Sequence, residues 1–220
     1  IMYGLAGRCA VALGDPVAAG ETVARDLIWR FRDLCDRLGA LPVFYQVAAE
    51  DLYLYADIGL MATKFGEEAR VSLPSFTMAG AAYRNERHVL HKMEREGLEF
   101  SVVPREAVPG LLSELQAVSD DWLRHKNTRE KGFSLGYFDP DYLCRFRHAL
   151  LRVQGRMVAF ANVLETGDKG ELSVDLMRYV SDAPSETMDA LFLSLMQWGR
   201  QEGFAAFNLG MVPLAGLEPR

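Results

Sequence analysis

The chain has 220 residues, half of them hydrophobic and a quarter charged, with a formal net charge of −6. That suits one large or two small globular domains with a substantial core, and no run approaches the roughly 20 consecutive apolar residues of a membrane-spanning helix. Ile1-Met2-Tyr3-Gly4 lacks the features of a secretory signal, and with the abrupt Leu217-Glu218-Pro219-Arg220 it reads as an excerpt of a longer chain. In chain order, Cys9–Leu13 is a short apolar strand stopped by Gly14-Asp15-Pro16. A helix over Glu21–Leu38 carries Ala24, Leu27, Ile28, Phe31, Leu34, Cys35 and Leu38 at helical spacing, and Gly39 ends it. Leu41–Val47 is the next strand, then a helix from Ala49 to Gly59. Short β segments at Ala62–Phe65 and Arg70–Leu73 precede a charged helix over Tyr83–Glu96, closed by Gly97.

The second half opens with a strand at Phe100–Pro104 and an amphipathic segment at Val108–Arg124. Ala149–Val153 and Arg156–Leu164 flank Gln154-Gly155 as a hairpin. Glu171–Tyr179 is a strand, Ser185–Gln201 a helix, and Phe204–Leu209 a final strand. Strand, helices, antiparallel hairpin, strand, helix, strand is the order of an N-acetyltransferase-like α/β unit. The first half has its own alternation of strand and helix. The expected fold is therefore α/β (α+β): two tandem N-acetyltransferase-like lobes, residues 1–97 and 98–220, with mixed central sheets flanked by helices.

Cys9, Cys35 and Cys144 are odd in number, widely spaced and set among apolar residues, which points to a reducing compartment rather than a disulfide framework. No Cys-x-x-Cys pair exists, and His88 and His91 share a helical face without a third ligand nearby, so no metal is expected. From Trp122 to Arg152 seven basic residues, among them Arg124, Lys126, Arg129 and Lys131, face three acids. This local excess is either a footprint for phosphates or a solvated helix end and loop.

Acetyltransferases of this architecture hold the coenzyme A pyrophosphate on a Gly-rich turn at a helix N-terminus. Here that segment, Ser181-Asp182-Ala183-Pro184-Ser185-Glu186, has no glycine and two carboxylates that repel a pyrophosphate. Coenzyme A is therefore not the expected donor. On a regular strand Glu171, Ser173, Asp175, Met177 and Tyr179 share one face, and Arg178 ends the other unless a β-bulge re-aims it. Asp175 and Arg178 are either a structural ion pair or a carboxylate and guanidinium that orient an amine and bind a carbonyl or phosphate. Asn208-Leu209-Gly210-Met211 ends an apolar strand either against a ligand or as an ordinary exit to a loop. Lys131–Asp139 is a Gly- and aromatic-rich loop, a cradle or a plain turn, and the Tyr142 phenol after it suits a hydrogen bond to substrate.

Gly14-Asp15-Pro16-Val17, Gly66-Glu67-Glu68-Ala69, Glu130-Lys131-Gly132-Phe133-Ser134-Leu135-Gly136, Val158-Ala159-Phe160-Ala161-Asn162, Glu171-Leu172-Ser173-Val174-Asp175-Leu176-Met177-Arg178 and Asn208-Leu209-Gly210-Met211 occur in this order. Together they resemble the catalytic domain of the bacterial aminoacyl-phosphatidylglycerol synthases, the lysyl- or alanyltransferases that confer resistance to cationic antimicrobial peptides. The resemblance covers nearly the whole chain.

It implies transfer of an aminoacyl group from aminoacyl-tRNA to a glycerol hydroxyl of phosphatidylglycerol, without coenzyme A or other cofactor, at the cytoplasmic face of the bacterial inner membrane. It also implies an N-terminal transmembrane flippase domain and a further active-site segment beyond residue 220. The family's Asp-x-x-Arg pair falls on Asp175 and Arg178 as catalytic residues, and its tyrosine on Tyr142. Glu171, Ser173, Asn208, Gly210 and Met211 are then candidates for substrate binding, and Arg124, Lys126, Arg129 and Lys131 for tRNA or lipid phosphate. Asp175 would accept the hydroxyl proton or bind the α-ammonium, and Arg178 would hold the lipid phosphate or the oxyanion. Two other classes stay open: a transferase acting on a peptide or peptidoglycan amine, and a non-enzymatic lipid- or tRNA-binding module. Lysine versus alanine and the oligomeric state are not legible.

Overall fold

The computed structural model describes residues 1–130, 132–133 and 136–217. Its internal contacts divide the chain into Ile1–Phe65 and Gly66–Arg220. In the first unit β1 (Tyr3–Ala6), β2 (Cys9–Leu13) and β3 (Leu41–Tyr45) form a sheet in that order, β1 antiparallel and β3 parallel to β2. The crossover between the parallel strands is α1 (Glu21–Leu38), whose expected stripe buries Ile28, Phe31 and Cys35. Ala10 and Ala12 pack beneath Phe31 and Cys35, and Gly39, at φ 65°, closes the helix in the left-handed conformation that glycine adopts without strain. Asp15 of the Gly-Asp-Pro turn accepts hydrogen bonds from the Ala48 amide (2.8 Å) and the Tyr55 hydroxyl (2.5 Å). That residue ties the turn to α2 (Leu52–Ala56), which a 3-10 turn at Ala49–Asp51 precedes.

The second unit is a six-stranded sheet flanked by helices. Its elements are β4 (Gly66–Ser72), α3 (Arg84–Arg95), β5 (Leu98–Val103), α4 (Leu112–His125), α5 (Pro140–Leu143), β6 (Arg147–Val153), β7 (Arg156–Glu165), β8 (Glu171–Tyr179), α6 (Thr187–Gln201) and β9 (Ala206–Pro213). The strand order is β4-β9-β8-β7-β6-β5. All neighbours are antiparallel except β8 and β9, which α6 connects as a crossover. Gln154 (φ 49°) and Gly155 (φ 80°) turn the β6–β7 hairpin, both left-handed as a type I′ turn requires. Leu191, Leu195 and Met196 of α6 and Met93 of α3 cover one sheet face through Ala149, Leu151, Ala161 and Leu172. A Cβ on Gly199 would meet Leu172 Cδ2 at 2.6 Å, so α6 lies directly on β8. On the other face Leu115 and Val118 of α4 and Leu143 of α5 pack with Leu150, Phe160 and Leu176.

The mixed α/β class expected from the sequence is the one observed. The boundary at residue 97 is corrected to 65/66, because β4 pairs with β9 and α3 packs on α6 and β5. Residues 66–97 share hydrogen bonds and core with the later strands, and their own short elements bury too little to form a core alone. The β segment expected at 62–65 forms no strand, and the one expected at 70–73 belongs to a longer strand that starts earlier, Gly66–Ser72. β1 and α5 were not anticipated; four residues each is too short for a periodic signal.

His148 of β6 is fully buried. Its Nδ1 lies 3.2 Å from the Phe146 carbonyl, and burial pulls its pKa from the usual 6.5 down to about 4. The folded state therefore holds this imidazole neutral while the unfolded chain takes up a proton, so its contribution is complete above pH 6.5 and lost as pH falls toward 4. That drop corresponds to roughly 3 kcal/mol. Denaturant unfolding of the wild type and His148→Leu at pH 7 and pH 4 will show the wild type losing more stability by about this amount; equal losses would remove His148 as the cause.

Candidate functional site

Regular alternation in β8 sends Asp175 and Arg178 to opposite faces. The register with β7 is not regular: Ala161 pairs with Met177, but Val163 pairs with Val174, so β8 carries one extra residue opposite Asn162. This bulge reverses the alternation. Leu172 and Val174 before it, and Met177 and Tyr179 after it, pack on the α6 side. Leu176 packs on the α4 side, and the Arg178 guanidinium lies 4.0 Å from the Trp122 ring of α4. Asp175 bonds to α5 and to the loop before it, so both candidate catalytic residues reach the same side of the sheet. The buried Asn162 side chain accepts the Leu176 N–H through Oδ1 at 2.6 Å and so clamps the bulge.

Both carboxylate oxygens of Asp175 are engaged. Oδ2 accepts the Tyr142 hydroxyl at 2.6 Å and Oδ1 the Gly136 amide at 2.7 Å. Tyr142 is positioned by Asp139, the N-cap of α5, whose side chain accepts the Tyr142 N–H at 2.7 Å. Its ring packs edge-on against Phe146 at 4.8 Å. Burial first, then the bond to the Asp175 carboxylate, raises the Tyr142 pKa, while the Asn162 side chain opposes the rise. Tyr142 therefore stays protonated as the donor in this pair. A Cβ on Gly136 would overlap the Asp175 carboxylate, so only glycine brings the loop backbone this close.

Arg178 does not pair with Asp175 among the described residues. Its Nη2 meets Glu130 Oε2 at 2.9 Å and its Nη1 donates to the Met177 carbonyl at 3.2 Å. Burial pulls the guanidinium pKa down, with Glu130 acting against it. Glu130 Oε1 also accepts the Phe138 N–H at 3.3 Å, so this acid links Arg178 to the loop that reaches Asp175. The alternative of a structural Asp175–Arg178 ion pair is thereby corrected: Glu130 takes the cation because the loop after α4 passes over β8.

Glu171, Ser173, Asn208 and Gly210 come together at the other end of β8. Asn208 Nδ2 donates to Glu171 Oε1 (3.0 Å), Arg70 meets Glu171 Oε2 (2.6 Å), Ser173 Oγ donates to the Asn208 carbonyl (2.9 Å), and the Gly210 amide donates to Asn208 Oδ1 (2.8 Å). Met211 takes a ladder position opposite Glu68. The parallel β8–β9 pairing ends at Ser173↔Asn208, although β8 continues to Tyr179 and β9 to Pro213. The two strands part just before Asp175, the kind of opening at strand ends where open α/β sheets bind ligands.

Arg124, Lys126 and Arg129 are exposed at the end of α4 and in the loop after it. Arg124 meets Asp121 at 3.2 Å, and Lys126 Nζ sits 5.5 Å from the Tyr179 ring. Lys131 lies outside the described residues. A cavity of about 560 Å³ opens between α4 and the strand ends, lined by Asp121, Arg124, Arg156, Val180 and Asp182 among others. Within it Asp121 accepts the Ser181 N–H at 2.6 Å, and this bond holds the Asp121 carboxyl below its usual range. No group of three or more potential metal-ligating side chains occurs among the described residues. Sequence reasoning missed Glu130, Gly136 and Asn162 as individuals, although each lies in one of the ordered motifs. The signals for them were an acid and a glycine in a basic loop, and an amide in an otherwise apolar strand.

A family model described as "Phosphatidylglycerol lysyltransferase, C-terminal" matches residues 1–220. The phosphatidylglycerol lysyltransferase of Bacillus subtilis (strain 168) is 41% identical over 218 residues, which is 99% of this chain and 25% of that protein. Among solved structures, the C-terminal domain of a putative lysylphosphatidylglycerol synthetase from Agrobacterium fabrum matches with TM-score 0.93 and 46% identity, over 97% of this chain and 67% of that one. L-PGS from Bacillus licheniformis matches with TM-score 0.88 and 42% identity, over 98% and 68%. The chain spans about a quarter of the length of the curated relatives it matches. With its whole length matched by the family model and the ordered motifs gathered around β8, the chain belongs to the phosphatidylglycerol lysyltransferase family and corresponds to its C-terminal part.

Proposed function

We propose that this chain is the catalytic portion of an enzyme that transfers a lysyl or alanyl group from aminoacyl-tRNA to a glycerol hydroxyl of phosphatidylglycerol. The observation that carries this reading is the Tyr142–Asp175 pair, held with Arg178 on one side of the sheet by the β8 bulge and set where β8 and β9 part. The reaction exchanges one ester for another. The lipid hydroxyl oxygen bonds to the aminoacyl carbonyl carbon, the bond to the tRNA ribose oxygen breaks, and the hydroxyl proton ends on that leaving oxygen. Asp175, oriented by Tyr142 and the Gly136 amide, accepts the hydroxyl proton in transit or holds the α-ammonium. Arg178 supplies positive charge for the lipid phosphate or the oxyanion, and either must compete with Glu130 for it.

Coenzyme A has no place in this reading. The Ser181–Glu186 segment has no glycine, and the Ser181 N–H is already taken by the Asp121 carboxylate, which disfavours a pyrophosphate there. Exposed Arg124, Lys126 and Arg129 meet the phosphates of tRNA or of anionic lipid. No helix among the described residues is long and apolar enough to cross a membrane. In this reading membrane attachment comes from an N-terminal transmembrane flippase domain of the longer protein, and the catalytic portion works at the cytoplasmic face of the bacterial inner membrane. Aminoacylation there lowers the negative charge of the membrane and with it the attraction of cationic peptides.

The test supplies phosphatidylglycerol vesicles and tRNA charged with labelled lysine or alanine to the full-length protein and follows label into lipid. Label in lipid supports the reading and identifies the amino acid; label only on a peptide amine, or vesicle and tRNA binding with no product, would overturn it. Asp175→Asn will lower transfer by about a hundredfold or more, the range for losing a general base, and an unchanged rate would take Asp175 out of the mechanism. Gly136→Ala pushes a methyl group into the same carboxylate. It will cut transfer at least roughly tenfold by displacing that carboxylate, with a thermal midpoint near wild type because Gly136 lies outside the core; a wild-type rate would show that this close approach is incidental.

A further inference from the structure

A guanidinium carries five N–H donors in a planar fork and often meets a carboxylate with two of them at once. Arg178 does not, although it is only 9% exposed. Glu130 accepts one N–H through Oε2 at 2.9 Å, and the Met177 carbonyl accepts another at 3.2 Å. The Arg178 Nε is buried and has no hydrogen-bond partner among the described residues. The second oxygen of Glu130 is turned away to the Phe138 N–H at 3.3 Å. A buried cation held by its counter-ion at one point leaves donors unused, which is unfavourable until a fuller partner takes them.

The two partners are not equally placed. The Arg178 side chain is 11% exposed and that of Glu130 29%, while Trp122 stacks on the guanidinium at 4.0 Å. An anion coming from solvent therefore meets Arg178 where the Glu130 carboxylate now lies. Displacing that carboxylate takes a ligand that is already charged. The carbonyl of an aminoacyl ester is neutral until it is attacked, whereas a phosphate diester carries its single charge on arrival. Exchanging one monoanion for another leaves the buried pair neutral. A dianion is disfavoured, because its desolvation cost grows with the square of its charge and its attraction to one guanidinium only linearly. The Glu130 and Asp175 carboxylates, both close enough to act on Arg178, also repel it.

We propose that Glu130 is a positioning residue that reserves Arg178 for the singly charged phosphate diester of the lipid: its carboxylate is the resting counter-ion of the guanidinium, and the diester takes its place. The inference rests on the proposed function for the identity of the lipid, and on the Arg178–Glu130 geometry for the exchange. It assigns Arg178 to the lipid phosphate rather than to the oxyanion.

Two probes separate charge from shape. Glycerophosphoglycerol is the diester headgroup, and glycerol phosphate is a monoester that is a dianion at about pH 8, above its second pKa of about 6. In equilibrium dialysis against the full-length protein at that pH, the wild type will bind the diester more tightly than the monoester. Glu130→Gln removes one negative charge and keeps an oxygen for the Phe138 N–H. A dianion gains twice the free energy of a monoanion from that removal. The preference for the diester will therefore shrink by about tenfold, the scale of one charge-assisted hydrogen bond. The gain will vanish when Arg178→Gln is added. In the transfer assay the KM for phosphatidylglycerol will fall in Glu130→Gln by about the same factor. A wild type that binds the two probes alike, a preference undiminished in Glu130→Gln, a gain that survives Arg178→Gln, or a KM that does not fall would each reduce Glu130 to a brace for the loop and overturn the proposal. If the wild-type protein forms no aminoacylated lipid, the function reading fails, and the dialysis by itself decides whether Glu130 guards Arg178 by charge.

Discussion

Side chains alternate along a β-strand with a period of two, so one inserted residue reverses the face taken by every side chain that follows. The arrangement around β8 depends on such an insertion between Val174 and Met177. Without it Arg178 would enter the α6-side core occupied by Leu172 and Leu191, where a guanidinium has no partner. With it Arg178 stacks on Trp122 and meets Glu130, while Met177 and Tyr179 fill the apolar side. Asn162 makes the bulge tolerable by replacing, with its own oxygen, the backbone acceptor that the Leu176 N–H loses.

The loop after α4 is drawn onto this strand by three unlike contacts. Lys126 lies over the Tyr179 ring, Glu130 meets Arg178, and the Gly136 amide meets Asp175. The last requires glycine, since any side chain would collide with the carboxylate. The result is a partly buried acid with both oxygens directed, the preorganisation that proton transfer or ammonium binding calls for. The Glu171–Asn208 network at the opposite end of the strand satisfies itself. It holds β8 and β9 together over the short stretch before they part.

Regular elements were legible wherever hydrophobic period and punctuation agreed. Glu21–Leu38 with Gly39 behind it, the Gln154-Gly155 hairpin and the Glu171–Tyr179 strand all lie where periodicity and turn residues place them. The domain boundary was not legible, because β4 joins its sheet by pairing with β9, far along the chain, and no local pattern records a long-range partner. Tyr142 was recognised as a useful phenol, but its tie to Asp175 was not, since the two meet only when α5 packs beside the sheet.

The amino-acid sequence by itself determined the mixed α/β class, the family, and the set of chemically able residues on and around the Glu171–Tyr179 strand. Each of these is written in local order: periodicity, turn residues and a series of short motifs. Tertiary structure alone decided the partners: Tyr142 and Gly136 for Asp175, Glu130 in place of Asp175 for Arg178, and Asn162 for the bulge. The reason is that a strand's register against its neighbour is set by packing across the whole sheet. A one-residue shift in that register changes every contact beyond it while leaving the local sequence pattern as it was.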